Sequence, residues 1–156
     1  MAKEFHITRS IEIAAPVGRI LPLITDLRAW QGWSPWEGLD PNLERTYGGP
    51  DHGVGQTYAW KGNSQAGSGR MEILEVSDRH VGIDLLFSAP MRAHNRIVFT
   101  LTPSPGGATT GVEWAMTGPQ NLVMRLMSAF WKMEKMVGPD LEKGLARLKA
   151  TAEQPR

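Results

Sequence analysis

The sequence contains no cysteine, and this absence excludes several kinds of protein at once. Disulfide-stabilised scaffolds, thiol catalysis and cysteine-ligated zinc sites all need a residue that the chain does not have. With 156 residues, the chain is long enough to bury well over half of its unfolded surface. We therefore expect one domain over residues 1–156 that folds without disulfides or a structural metal.

Long apolar runs and an excess of one charge are also missing. The longest stretch without a charged residue is 97–112, and its prolines and paired glycines exclude a membrane-spanning helix there. Seventeen basic and sixteen acidic residues leave a formal charge of +1, which does not favour nucleic acid as a partner. Glu4, Arg9 and Glu12 interrupt the region where a secretory signal needs an apolar core. We expect a cytoplasmic protein without integral membrane association.

Glycine and proline are plentiful, and they are unevenly placed. Fourteen of the seventeen glycines precede residue 118, where they separate short runs of alternating apolar residues. Such runs predict β-strands. The first carries Phe5 to Ile13, and six more follow at about 42–47, 55–62, 69–77, 80–88, 95–102 and 109–117.

Helical spacing occurs in two segments. From Pro16 the apolar residues recur every three or four positions, which predicts a short helix ending near 26–28. Trp30, Trp33 and Trp36 follow at a spacing of three, which predicts one or two irregular helical turns. A long apolar stripe over 120–153 predicts a terminal helix, kinked near Pro139 because proline lacks a backbone donor.

These elements define an architecture. An antiparallel sheet with one apolar face needs a cover, and the terminal helix is the only predicted element long enough to supply it. We expect an α+β fold with a curved seven-stranded antiparallel sheet wrapped around the long C-terminal helix, and two short helices between strands 1 and 2. A strongly curved sheet of this kind often leaves a cavity beneath it.

Three stretches resemble a known superfamily. Residues 9–36 (RSIEIAAPVGRILPLITDLRAWQGWSPW) resemble its first strand, proline-initiated helix and Trp-bearing turn. Residues 53–76 (GVGQTYAWKGNSQAGSGRMEILEV) resemble its third and fourth strands, and 138–149 (GPDLEKGLARLK) resemble the end of its terminal helix. The chain is similar to the START and Bet v 1-like (SRPBCC) superfamily, in its bacterial polyketide cyclase/dehydrase-like branch. The resemblance implies a helix-grip fold with an internal apolar cavity, but members differ in function.

Aromatic and methionine side chains are the candidates for lining that cavity. Trp30 and Trp33 are explained by packing of the short helices on the sheet, whereas Trp36 could equally be an aromatic gate. Five of the eight methionines lie within 116–136, where they could form an adaptable wall or fill an ordinary core. We expect the ligand to contact Trp36, Tyr58, Trp60, Met71, Ile73, Leu85, Phe87, Phe99, Trp114, Met116, Leu126, Met127 and Phe130.

Residues suited to catalysis are few, and no catalytic set is predicted. His94 is the best acid–base candidate, but strand alternation places it and Asp84 on the outer face of the sheet. Arg9 has the parity of the inner face, where its charge would need a carboxylate from a ligand or from Glu72 or Glu113.

Metal and cofactor motifs are absent from the sequence. The four histidines show no metal-ligand spacing. The chain has no Gly-x-Ser-x-Gly elbow, phosphate-binding loop or dinucleotide fingerprint. We therefore predict neither a metal nor a cofactor.

Three functional hypotheses remain. The first is binding of a small hydrophobic or amphipathic ligand (lipid, sterol or polyketide-like) in a cavity between the sheet and the C-terminal helix. The second is a polyketide cyclase or dehydratase-type enzyme acting on a carbonyl-rich substrate, with Tyr58 or Arg9 orienting an enolate. The third is a regulatory module that forms a homodimer through the wide apolar face of the terminal helix.

Overall fold

The computed structural model describes residues 4–64, 66–89, 92–119 and 129–154, with side chains over 6–64, 66–88, 92–118 and 137–154. Strands and helices follow the predicted order. They are β1 (Glu4–Ile13), α1 (Val17–Thr25), a 3₁₀ helix (Leu27–Gly32), β2 (Glu44–Gly48), β3 (Thr57–Lys61), β4 (Ser68–Val76), β5 (His80–Ala89), β6 (Ala93–Pro103), β7 (Thr110–Pro119) and α2 (Ala129–Glu153).

The seven strands form one antiparallel sheet in the order β1-β7-β6-β5-β4-β3-β2. Strands β2 to β7 pair with their chain neighbours, and β1 pairs with β7 at the far edge. The predicted α+β helix-grip architecture is therefore confirmed, including the short helices between β1 and β2. Two register irregularities between β4 and β5 are β-bulges or their equivalents, which bend a strand and add to the curvature.

One face of the sheet is buried under the helices. Residues such as Ile73, Ile83 and Ile97 have no measurable exposure because alternation points them all to that face. The described part of α2 packs chiefly against β1, at one side of the sheet. Its apolar stripe buries Leu141, Leu145, Leu148 and Ala152, at helical spacing.

The tryptophan-rich segment, residues 30–36, packs between the sheet and α2. Trp30 and Trp33 are buried, with ring centroids 4.4 Å apart. Their indole N–H groups donate to the carbonyls of Ile24 and Leu23 at 3.0 and 2.9 Å, which fixes both rings on the end of α1. Both rings meet Trp114 of β7 edge-on, so they join this segment to the sheet.

A buried glutamine connects the start of the 3₁₀ helix to the segment before β3. The Oε1 atom of Gln56 accepts from the backbone N–H of Leu27 at 2.6 Å. Its Nε2 donates to the Asp26 carboxylate at 3.1 Å and to the Asp51 carbonyl at 2.9 Å. The side-chain amide of this fully buried residue is thus hydrogen-bonded at both ends.

Helix α2 continues through Pro139 and meets the tryptophan-rich segment at Gly144. A Cβ atom at Gly144 would lie 2.8 Å from both the Trp114 ring and the Pro35 ring, which is too close for either. Arg147 then donates to the Ser34 carbonyl at 2.9 Å. None of the helices in the described ranges is long and apolar enough to cross a membrane.

We expect Gly144→Ala to lower the free energy of unfolding by about 1–3 kcal/mol, because the new methyl group must displace Trp114 or Pro35. The matched control is Gly18→Ala in α1, where a Cβ would meet nothing within 4 Å. That change should raise stability by up to about 1 kcal/mol through helix propensity. Chemical denaturation measures both, and the same sign for the two variants would contradict the packing described at Gly144.

Replacement of Gln56 by Leu should lower the free energy of unfolding by about 2 kcal/mol or more, because the buried N–H of Leu27 loses its acceptor. Gln31→Leu is the control, since Gln31 is exposed and donates to the Tyr47 hydroxyl rather than to a buried backbone group. Its effect should stay within about 0.5 kcal/mol. Similar losses in the two variants would show that Gln56 is not a structural connection.

Candidate ligand-binding cavity

A partly enclosed cavity of about 240 Å³ lies under the β3–β5 part of the sheet, on the side away from the main contact of α2 with β1. Its lining combines strand residues with residues of the tryptophan-rich segment and one residue of α2. The described lining residues are Leu27, Trp30, Ser34, Trp36, Glu37, Leu39, Leu43, Tyr58, Trp60, Ala66, Met71, Leu85, Phe87 and Asp140.

Strand register explains the floor of the cavity. Tyr58 pairs with Met71 and Met71 with Leu85, so these side chains form one row across three strands. The next row is Trp60, Gly69 and Phe87. Residues two positions apart along a strand point to the same face of the sheet, so the Tyr58 row and the Trp60 row both face the cavity.

Gly69 gives the Trp60 ring its place. A Cβ atom at Gly69 would lie 2.5 Å from the Cη2 atom of Trp60, so the indole lies directly over the glycine backbone. The ring meets Phe87 edge-on, with centroids 5.7 Å apart, and its Nε1 donates to the Ala66 carbonyl at 3.0 Å. The Trp60 side of the cavity is thus held by packing and a hydrogen bond.

Aromatic stacking continues from Trp60 to the edge strand. Trp60 stacks on Tyr58 at 5.9 Å, and Tyr58 stacks on Tyr47 of β2 at 5.1 Å. The Tyr47 ring lies 4.6 Å from the Arg28 guanidinium carbon, and its hydroxyl accepts from Gln31 at 2.7 Å. Contacts from the 3₁₀ helix therefore hold the outer end of this stack.

The polar end of the cavity contains Glu37 and Tyr58. Arg45 of β2 forms an ion pair with Glu37, and this hydrogen bond raises the pKa of Arg45. Burial raises the pKa of Tyr58 to about 12, the negative charge of Glu37 acts in the same direction, and Arg45 opposes it. At neutral pH the Tyr58 phenol is therefore protonated and can donate a hydrogen bond.

The predicted site residues divide into three groups. Trp36, Tyr58, Trp60, Met71, Leu85 and Phe87 line the cavity. Ile73, Phe99, Trp114 and Met116 are packed in the core and do not belong to the described lining. Leu126 and Met127 lie outside the described residues, and so does the side chain of Phe130. Most of the helix face that was predicted as an alternative dimer surface also lies outside them.

Several lining residues were missed by sequence reasoning. Leu27, Trp30, Ser34, Glu37, Leu39, Leu43, Ala66 and Asp140 do not share a strand pattern with the predicted set. The signal that could have found Leu39 and Leu43 is their position as isolated apolar residues in a polar connection. Asp140 follows a proline within an amphipathic helix, where a carboxylate is ordinarily assigned to the solvent side.

The catalytic candidates lie elsewhere. The Nε2 atom of His94 is 2.5 Å from the Asp84 carboxylate on the outer face of the sheet, as alternation predicted. Arg9 points inward but takes its carboxylate from Glu142 of α2, at 3.1 Å between Nε and Oε1. The expectation that Glu72 or Glu113 could pair with Arg9 was wrong, because Glu113 pairs in register with Ser10 on the other face and Glu72 contacts Arg70.

A metal site in this chain would need several histidine or carboxylate side chains close together. Over the part of the chain that the structure describes, no three of them are placed to bind one ion. The chemistry available in the cavity is therefore that of aromatic faces, a phenol, a serine and two carboxylates.

Solved structures with the same fold support the architecture. A protein from Thermobifida fusca has a TM-score of 0.70 at 19% identity, covering 94% of this chain and 92% of that one. A truncated norcoclaurine synthase from Thalictrum flavum has a TM-score of 0.69 at 12% identity, covering 99% and 97%. A protein from Nitrosospira multiformis has a TM-score of 0.66 at 18% identity, covering 93% and 94%. At these identities the likeness concerns the fold alone.

Sequence comparison identifies a family. A search of curated proteins found no match to the chain. The family model described as polyketide cyclase/dehydrase and lipid transport matches residues 4–153, which is nearly the whole chain. The protein therefore belongs to the polyketide cyclase/dehydrase and lipid transport family, within the SRPBCC fold that the sheet, the helices and the cavity had indicated.

Proposed function

We propose that the protein binds a small hydrophobic or amphipathic ligand in the cavity under β3–β5. The observation that carries this proposal is a partly enclosed space of about 240 Å³ with aromatic walls, which the packed core leaves unfilled. Apolar cavities with a few polar groups are the usual form of small-molecule sites. Family membership supports the same reading, because the family description includes lipid transport.

The size of the cavity favours a compact ligand. Pockets for drug-sized molecules measure about 300–1,000 Å³, so a space of about 240 Å³ suits one or two fused rings or a short chain. A polyketide-like aromatic compound matches this volume better than a sterol. The flat faces of Trp36, Tyr58 and Trp60 also match flat rings better than branched aliphatic ones.

Filling the cavity tests this proposal. Ala66→Phe places a ring in the lining, whereas Ala108→Phe makes the same change at an exposed position in the β6–β7 turn. With 2-naphthol as the probe, we expect saturable binding to the native protein and to Ala108→Phe. The Ala66→Phe variant should bind at least about tenfold more weakly, because the new ring occupies the ligand volume.

Isothermal titration calorimetry measures the affinities, and circular dichroism checks that both variants are folded. Equal affinity in the two variants would exclude this cavity as the binding site. Failure of long-chain, sterol and aromatic probes alike to bind the native protein would contradict the proposal as a whole.

The second candidate function is catalysis on a carbonyl-rich substrate, and the position of Tyr58 favours it. The protonated phenol can donate a hydrogen bond to a carbonyl or enolate oxygen in the cavity. Arg9 has no such role in this proposal, since it pairs with Glu142 outside the described lining. In this reaction Tyr58 would act as a hydrogen-bond donor and not as a base, because its pKa is raised to about 12.

The titration of Tyr58 can be measured separately because the chain has only two tyrosines. The ultraviolet absorbance of tyrosinate in the native protein minus that in Tyr58→Phe should give a transition near pH 12. The pKa of Tyr58 in the folded protein lies above its unfolded value of about 10. The free energy of unfolding should therefore be unaffected by this group below about pH 10 and fall as the pH rises from 10 toward 12. A difference transition near pH 10 in the folded protein would exclude a buried phenol.

A further inference from the structure

The charged side chains in the described lining of the cavity are all of one sign. Among the described lining residues the charged side chains are Glu37 and Asp140, and both are carboxylates. No described lysine, arginine or histidine belongs to the lining. A ligand that enters this space therefore meets negative charge and aromatic faces.

The two carboxylates differ in their partners. Glu37 is paired with Arg45, which neutralises its charge at the β2 side of the cavity. Asp140, which lies one helical turn before Gly144 in α2, forms no ion pair or hydrogen bond with another residue whose side chain the structure describes. Asp140 is half-buried, so its charge is only partly screened by water.

Aromatic rings add to this negative potential. The π face of an indole or phenol attracts a cation within about 6 Å of its centroid, and the attraction grows when water is excluded. Trp36, Tyr58, Trp60 and Phe87 line the same cavity as Asp140. An ammonium group with an attached ring would satisfy both features, because the carboxylate pairs with the charge and the aromatic walls cover the ring.

We propose that the cavity selects a cationic, ring-bearing amine over its neutral analogue, and that it disfavours carboxylate ligands such as fatty acids. This inference rests on the proposed function, since it assigns the charge of the ligand that the same cavity binds. Asp140 supplies the charge recognition, and the aromatic walls supply the contact area. A carboxylate ligand would instead be repelled by Asp140 and find no described cation in the lining.

Three probes that differ only in their polar group test the inference on the native protein. They are 2-(2-naphthyl)ethylamine, 2-(2-naphthyl)ethanol and the carboxylate of 2-naphthylacetic acid. Calorimetry at neutral pH measures their affinities. We expect the amine to bind about tenfold more tightly than the alcohol, as for a hydrogen bond to a charged group, and the acid to bind most weakly. Added salt should lower the affinity of the amine and leave the affinity of the alcohol unchanged.

Substitutions then locate the charge. Asp140→Asn keeps the shape of the side chain and should remove most of the amine's advantage, with the alcohol affinity changed less than about twofold. Glu142→Gln removes a carboxylate from the same helix, but Glu142 pairs with Arg9 and does not line the cavity. It should leave all three affinities unchanged.

The outcomes separate the two proposals. If the alcohol and acid bind as tightly as the amine, the charge preference is overturned while ligand binding in the cavity stands. The same conclusion follows if Asp140→Asn and Glu142→Gln have equal effects. If none of the three probes binds, the charge preference is overturned, and the proposed function is decided by the long-chain, sterol and aromatic probes described above. Because the first comparison uses only the native protein, it does not depend on the folding of a variant.

Discussion

The packing of the sheet, the tryptophan-rich segment and the terminal helix against one another depends on the indole of Trp114. This indole is fully buried, it meets Trp30, Trp33 and Trp36 edge-on, and it lies against Gly144 of α2. Its Nε1 is the buried side-chain polar atom without a hydrogen-bond partner among the residues described. Leaving a donor unsatisfied is costly, so the packing of these rings must outweigh that loss.

This convergence also explains where the cavity lies. The described part of α2 is held at the β1 side of the sheet by Trp114, by the Arg9–Glu142 ion pair and by Arg147. The curved sheet extends beyond that contact to β2, and its inner face at β3–β5 carries aromatic residues. Shared packing at one side of the sheet thus leaves a space at the other.

The sequence supported prediction of the strands because glycine and proline separate runs with clear alternation. The predicted strand at 80–88 is His80–Ala89, and that at 69–77 is Ser68–Val76. Alternation assigns a residue to a face of the sheet, but not to a place across that face. Phe99 and Phe87 were therefore predicted alike, although one lies in the packed core and the other in the cavity.

Other parts of the site had no local signal. The Arg9–Glu142 pair joins residues 133 positions apart, so no pattern along the chain reveals it. Leu39, Leu43 and Glu37 reach the cavity from an irregular connection, where neither strand nor helix periodicity applies. Their placement depends on how that connection folds against β2 and β3, which is a property of tertiary contacts.

The tryptophan cluster has an optical consequence. Trp30 and Trp33 lie 4.4 Å apart, and both lie within 6 Å of Trp114, which lies 5.7 Å from Trp36. Indoles at such distances exchange excitation energy before they emit light. Energy absorbed by Trp33, which does not belong to the described lining, can thus be lost at Trp36, which does. The tryptophan fluorescence of the whole cluster therefore depends on the surroundings of Trp36 in the cavity.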